Sequence, residues 1–163
     1  MRQKLIFTLL LGLASSAWAG ANDNDILVDK IWLGESVPGQ KTASLQMILT
    51  STRSAAKLVG VSSPVAETVK MQLLSPGPGK IKARVVHSLR LPRSHAVVFG
   101  SRNGAALMMV GLKKSLNAGD HVPVTLIVEL PNQQRLRLNV QAEVMPLALS
   151  YQHYSGKEVH DRR

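Results

Sequence analysis

Arg135-Leu136-Arg137-Leu138-Asn139-Val140-Gln141-Ala142-Glu143-Val144 alternates polar and apolar residues without a break. Successive side chains of a strand point to opposite faces, so this period of two predicts a strand with a dry side and a wet side. Leu136, Leu138, Val140 and Ala142 form the dry side; Arg135, Arg137, Asn139 and Gln141 form the wet one. A helix would need apolar residues three apart as well as four, and no two here are three apart.

The same period, or short blocks rich in Val, Ile and Leu, recurs outward from this stretch. It predicts strands over Ile26–Leu33, Ala43–Ser51, Lys57–Val61, Val69–Leu74, Lys80–Val86, Ala96–Phe99, Ala105–Val110 and Pro123–Leu130. Turn-forming groups divide them: Val37-Pro38-Gly39, Ser75-Pro76-Gly77-Pro78-Gly79, Arg102-Asn103-Gly104, Asn117-Ala118-Gly119-Asp120 and Pro131-Asn132. Many short strands with regular turns predict an all-β sandwich or barrel. Pro64–Glu67 and Leu112–Leu116 are each long enough for a single helical turn. No longer helix and no internal repeat is visible.

The ends read differently from the body. Arg2 and Lys4, the apolar run Leu5–Ala14 and the small-x-small group Ala17-Trp18-Ala19 form the pattern of a secretory signal peptide, residues 1–19. That apolar run is shorter than the roughly 20 residues needed to span a bilayer. The expectation is export to a bacterial periplasm, with cleavage after Ala19 and no stable membrane anchor afterwards. One domain then occupies residues 20–149, and a polar extension without strand period occupies 150–163.

Composition excludes several classes of function. The 163 residues are 45% hydrophobic and 18% charged, which is enough apolar surface to order the chain and argues against disorder. With no cysteine there is no disulfide framework, thiolate zinc site, iron–sulfur cluster or cysteine nucleophile. No Gly-x-Ser-x-Gly elbow, phosphate loop or dinucleotide fingerprint occurs, and the few acids of the body, Glu35, Glu67, Asp120, Glu129 and Glu143, show no working pair, which would need partners from different strands. The chain is therefore not expected to be an enzyme. A net charge of +10 raises the question of nucleic acid, but only 4% of residues are aromatic and no stacking face emerges. A cationic surface in an envelope rich in anionic lipid and polymer accounts for the charge, without a nucleic-acid partner.

Thioether and imidazole are soft donors that suit copper(I), and they tolerate an oxidising compartment better than thiols do. The histidines are His87, His95, His121, His153 and His160, and no two share the spacing that clusters ligands on one element.

Four blocks carry a family resemblance: Val37-Pro38-Gly39-Gln40-Lys41-Thr42-Ala43, Leu58-Val59-Gly60-Val61-Ser62-Ser63-Pro64-Val65-Ala66-Glu67, Met108-Met109-Val110-Gly111-Leu112-Lys113-Lys114-Ser115-Leu116 and Gly119-Asp120-His121-Val122-Pro123-Val124-Thr125-Leu126. In this order, and within a similarity from Ile26 to Val144, the chain resembles the PCu(A)C-type periplasmic copper chaperones. The resemblance implies a cupredoxin-like Greek-key β-sandwich that carries copper(I) on its surface. It also implies envelope partners, either a copper-receiving subunit of a respiratory oxidase or a second copper chaperone. The family site uses a histidine, then a methionine after ten intervening residues, then a His-x-Met pair. Carried over position by position, these ligands fall on Gln72, Ala83, Ala106 and Met108. Of the family ligands only Met108 is kept, so the inherited site is expected to be degenerate.

Neighbouring methionines are poor replacements. Strand parity turns Met71 and Met109 to the opposite face from Gln72 and Met108, where they serve as core filling. His153 and His160 of the extension are the remaining candidates to join Met108, and Tyr151 and Tyr154 could instead help it dock a partner. Two functions follow: copper(I) handling through Met108 and the tail, or a metal-independent interaction module on the same sandwich.

Overall fold

The computed structural model describes residues 25–100 and 104–148. The predicted signal peptide and the extension from Ser150 lie outside the described residues. Ten strands follow in order: β1 (Ile26–Gly34), β2 (Thr42–Ser51), β3 (Ala56–Ser62), β4 (Ala66–Gly77), β5 (Lys80–Val86), β6 (Leu89–Leu91), β7 (Ala96–Phe99), β8 (Gly104–Leu112), β9 (His121–Glu129) and β10 (Arg135–Met145). The nine predicted strands are all present: β5 and β7 keep the predicted bounds, β9 is shifted to His121–Glu129, and the others are longer by one to six residues. β6 was not foreseen, because three residues are too few to show a period. Neither predicted helical turn forms. Ala66 and Glu67 already belong to β4, with Ala66 opposite Leu112 of β8, and the N–H groups of Leu112, Lys113 and Leu116 donate to the Lys41 and Val65 carbonyls and Ser36 Oγ rather than within a helical turn.

The strands join in the order β5-β4-β8-β7-β2-β1-β10-β9-β3-β6. β2 serves two neighbours along one edge. Its first half, Thr42–Leu45, runs against Val110–Leu107 of β8, and Met47–Thr50 runs against Phe99–Ala96 of β7. In β1 the register shifts between Asp29 and Trp32, where Lys30 takes a φ of 48°. An irregularity of this kind bends a strand and increases its twist. Past it, Trp32 and Leu33 pair with β2 on one side and, in parallel, with Glu143 and Val144 of β10 on the other. β1 thus carries the ladder from one half of the ten-stranded sheet to the other, and a bridge from Ser51 to Arg93 brings the β6 end back beside β2. The result is an all-β, barrel-like sandwich.

Alternation fills the interior. Leu45, Leu49, Leu58, Leu91, Leu107, Met109, Leu126 and Val128 are fully buried, and Phe99 and Met47 sit among them. Each such side chain contributes roughly 1.5–3 kcal/mol by leaving water. The decisive stretch behaves as read: Leu136 and Ala142 are buried, Leu138 and Val140 pack partly buried against the core, and Arg135, Arg137, Asn139 and Gln141 are exposed. β4 and β5 form a hairpin closed by Pro78-Gly79 between paired Gly77 and Lys80. Proline fixes the first turn position, and Gly79 supplies the second at a φ of +66°.

Candidate functional site

Parity and register decide what the outer face of β5-β4-β8-β2 presents. On β8, Ala105, Leu107 and Met109 point into the core, so Ala106, Met108 and Val110 point out. On β4, Met71 is buried in the core cluster, and Gln72 faces the other way. Met71 and Met109 are thus core residues, as their parity predicts. Gln72 stands opposite Ala106 of β8, and Leu74 stands opposite Ala83 of β5. Met108 lies between Lys70 of β4 and Ser44 of β2. Gln72, Ala83, Ala106 and Met108 therefore gather on one face of three adjacent strands, although the sequence spreads them over 37 positions.

Three of these four, Gln72, Ala106 and Met108, line a cavity of about 360 Å³. Ala106 is 4% exposed and lies outside the main core cluster, so it is covered from the outer side. The opposite wall holds Trp32, Glu35 and Gln46. Gln46 is tightly placed: its amide nitrogen donates to Ser44 Oγ at 3.0 Å, and its side chain lies over Gly100. A Cβ at Gly100 would fall 1.6 Å from Gln46 Oε1, and the φ of +98° there disfavours other residues as well.

Leu147 also lines this cavity. The Leu147 backbone N–H donates to Glu35 Oε1 at 3.0 Å, and the Glu35 N–H donates to the Met145 carbonyl at 2.8 Å. These two bonds hold the end of β10 against the end of β1. They fix the chain beside Met108 immediately before it continues toward residue 149.

The chemistry of the wall is one thioether (Met108), one carboxylate (Glu35) and the amides of Gln40, Gln46 and Gln72. Copper(I) prefers sulfur and imidazole, so a single thioether among oxygen donors is a poor set for it. Exposed Lys70, directly opposite Met108, adds positive charge at that place. The described histidines do not help. His87 follows β5, His95 precedes β7 with Nδ1 2.8 Å from the Arg93 carbonyl, and His121 opens β9; all three are exposed, and none lines the cavity. Among the described residues no three His, Asp or Glu side chains come together. His153 and His160 lie outside the described residues. Trp32, Glu35, Gln46 and Leu147 were not singled out in the sequence, since only the pairing of β1, β2 and β10 brings them to Met108.

Comparison with known proteins gives a consistent picture. The profile of the LpqE-like lipoprotein family matches residues 26–142. No curated protein matches the chain. Among solved structures, copper(I)-bound DR1885 from Deinococcus radiodurans is 26% identical. It aligns over 78% of this chain and 83% of its own, with a TM-score of 0.58. The copper-bound PCuAC domain of PmoF2 is 19% identical over 75% of this chain and 93% of that domain, with a TM-score of 0.60. The apo form of the same domain gives 20% identity and a TM-score of 0.58 over 75% of this chain and 90% of that domain. The shared architecture is the cupredoxin-like β fold of PCuAC domains.

Proposed function

Starting from a chain that belongs to the LpqE-like family, which is related to the PCuAC copper chaperones, we propose that this protein is a copper(I)-handling carrier of the cell envelope with a reduced ligand set. In this reading it is not an enzyme. Met108 is the ligand kept on the outer face, and His153 or His160 of the C-terminal extension completes the grip. One observation carries it: Leu147, three residues before the extension, lines the same cavity as Met108 and is held there by Glu35. A short tether raises the local concentration of an imidazole that alone would bind weakly, though the tail loses conformational freedom as it coordinates. A site with few ligands releases its ion readily, which suits transfer to a copper-receiving partner such as an oxidase copper centre or a second chaperone.

The compartment in this reading is the periplasm, reached through the signal at residues 1–19. Its relatives are described as lipoproteins, but none of the 163 residues is a cysteine, so this sequence offers no thiol for a lipid.

A second reading keeps the sandwich and drops the metal, leaving an interaction module of the envelope. Gln72, Ala83 and Ala106 at the positions assigned to ligands favour it. Titration of the exported protein with copper(I) against a competing chelator separates the two. The carrier reading expects one retained equivalent that is lost both in Met108→Ala and on truncation after Leu149. Retention no greater than that of Met108→Ala overturns the carrier and leaves the module.

A further inference from the structure

A second and larger cavity, of about 1140 Å³, opens on a different part of the molecule. It lies between the two ends of the folded sheet: Leu73, Val97 and Ala105 line it from β4, β7 and β8, and Ala56 and Leu89 line it from β3 and β6. These five residues give it an apolar floor, and the volume exceeds the roughly 300–1,000 Å³ of ordinary ligand pockets.

Its rim is charged in a particular order. Arg90 of β6 stands opposite Lys57 of β3, Lys57 stands opposite Glu129 of β9, and Glu129 stands opposite Arg135 of β10. All four line the cavity. The one carboxylate in this row is engaged by Arg135, with Nε 3.4 Å from Glu129 Oε2. Lys57 and Arg90 are left as two exposed cations directly across a strand pair, an arrangement that repels. Neither forms an ion pair with another described residue. An incoming anion would relieve that repulsion and gain charge-assisted hydrogen bonds from both side chains.

Two cations at the mouth of an apolar cleft specify a ligand that is acidic at one end and hydrocarbon at the other. We propose that the cleft binds an anionic single-chain amphiphile, with its acyl chain against Leu73, Val97 and Leu89 and its acidic head between Lys57 and Arg90. The head is a carboxylate if the ligand is a fatty acid and a phosphate if it is a lysophospholipid. A bare inorganic anion would use the cations and leave the apolar floor wet.

The test is displacement of a fluorescent fatty acid from the purified exported protein. Palmitate and lysophosphatidylglycerol are the two anionic competitors, with lysophosphatidylcholine and inorganic phosphate as contrasts. Saturable displacement by either anionic lipid is expected, and the better of the two identifies the head group. Zwitterionic lysophosphatidylcholine keeps the phosphodiester oxygens but brings a choline cation up to Lys57 and Arg90, and that repulsion is expected to weaken it by about tenfold or more. The double variant Lys57→Glu/Arg90→Glu should weaken the better lipid by a similar factor while melting as the wild type does. Val97→Trp, which fills the cleft, should abolish displacement, and Met108→Ala should leave it unchanged. Absence of saturable displacement overturns the proposal. So does equal displacement by zwitterionic and anionic lipid, phosphate competing as well as palmitate, or the charge-reversed protein binding as before.

Discussion

The two faces of β8 have been treated differently. Inward, Ala105, Leu107 and Met109 are packed among Leu45, Met71 and Leu73 of the neighbouring strands. Outward, Ala106 and Met108 border a small cavity whose wall mixes an indole, a carboxylate and amides. The inner face must satisfy only size and hydrophobicity, and many sequences do that. An outer-face metal site needs particular donor atoms at particular places, so a single change removes a ligand without disturbing the fold. Scaffold and site on one strand can thus vary independently, and identities of 17–26% to PCuAC domains with TM-scores of 0.56–0.60 speak for the scaffold alone.

The contrast is sharpest in substitutions that differ only in parity. Leu107→Asp, on the inner face, places an unpaired charge in the core and should abolish cooperative unfolding in a thermal melt followed by circular dichroism. A folded Leu107→Asp protein would mean that the faces of β8 are reversed. Met109→Ala should lower stability by about 2–5 kcal/mol in urea unfolding, through lost packing and a residual cavity. Gly100→Ala tests the wall of the outer cavity. The strained φ and the clash with Gln46 should cost about 1–3 kcal/mol in the same assay, even though no core residue is touched. Met108→Ala should shift stability by no more than about 0.5–1 kcal/mol, since its side chain is only partly buried. Its effect should appear in copper(I) retention instead.

The fold was legible because period-two patterning is local: Arg135–Val144 declares its inner face with no knowledge of its partners. The same parity placed Met71 and Met109 in the core. What the sequence concealed lies in register and in gaps between strands. Trp32 meets Gln46 only because β1 shifts register after Asp29, and Lys57 meets Arg90 only because the short β6 lies against β3. Neither relation leaves a periodic trace. The helical turns expected at Pro64–Glu67 and Leu112–Leu116 failed for a related reason: pairing between β4 and β8 outweighed local preference.

Placing soft donors at the positions assigned to the family ligands tests most directly the proposal that this face frames a copper site. The variant Gln72→His/Ala83→Met/Ala106→His puts imidazole and thioether groups at the three positions that the family resemblance assigns to ligands beside Met108. Titrated with copper(I), it should hold one equivalent against a chelator that strips the wild type, with an unchanged melting temperature. A folded variant that holds copper no better than the wild type would show that these positions no longer frame a site.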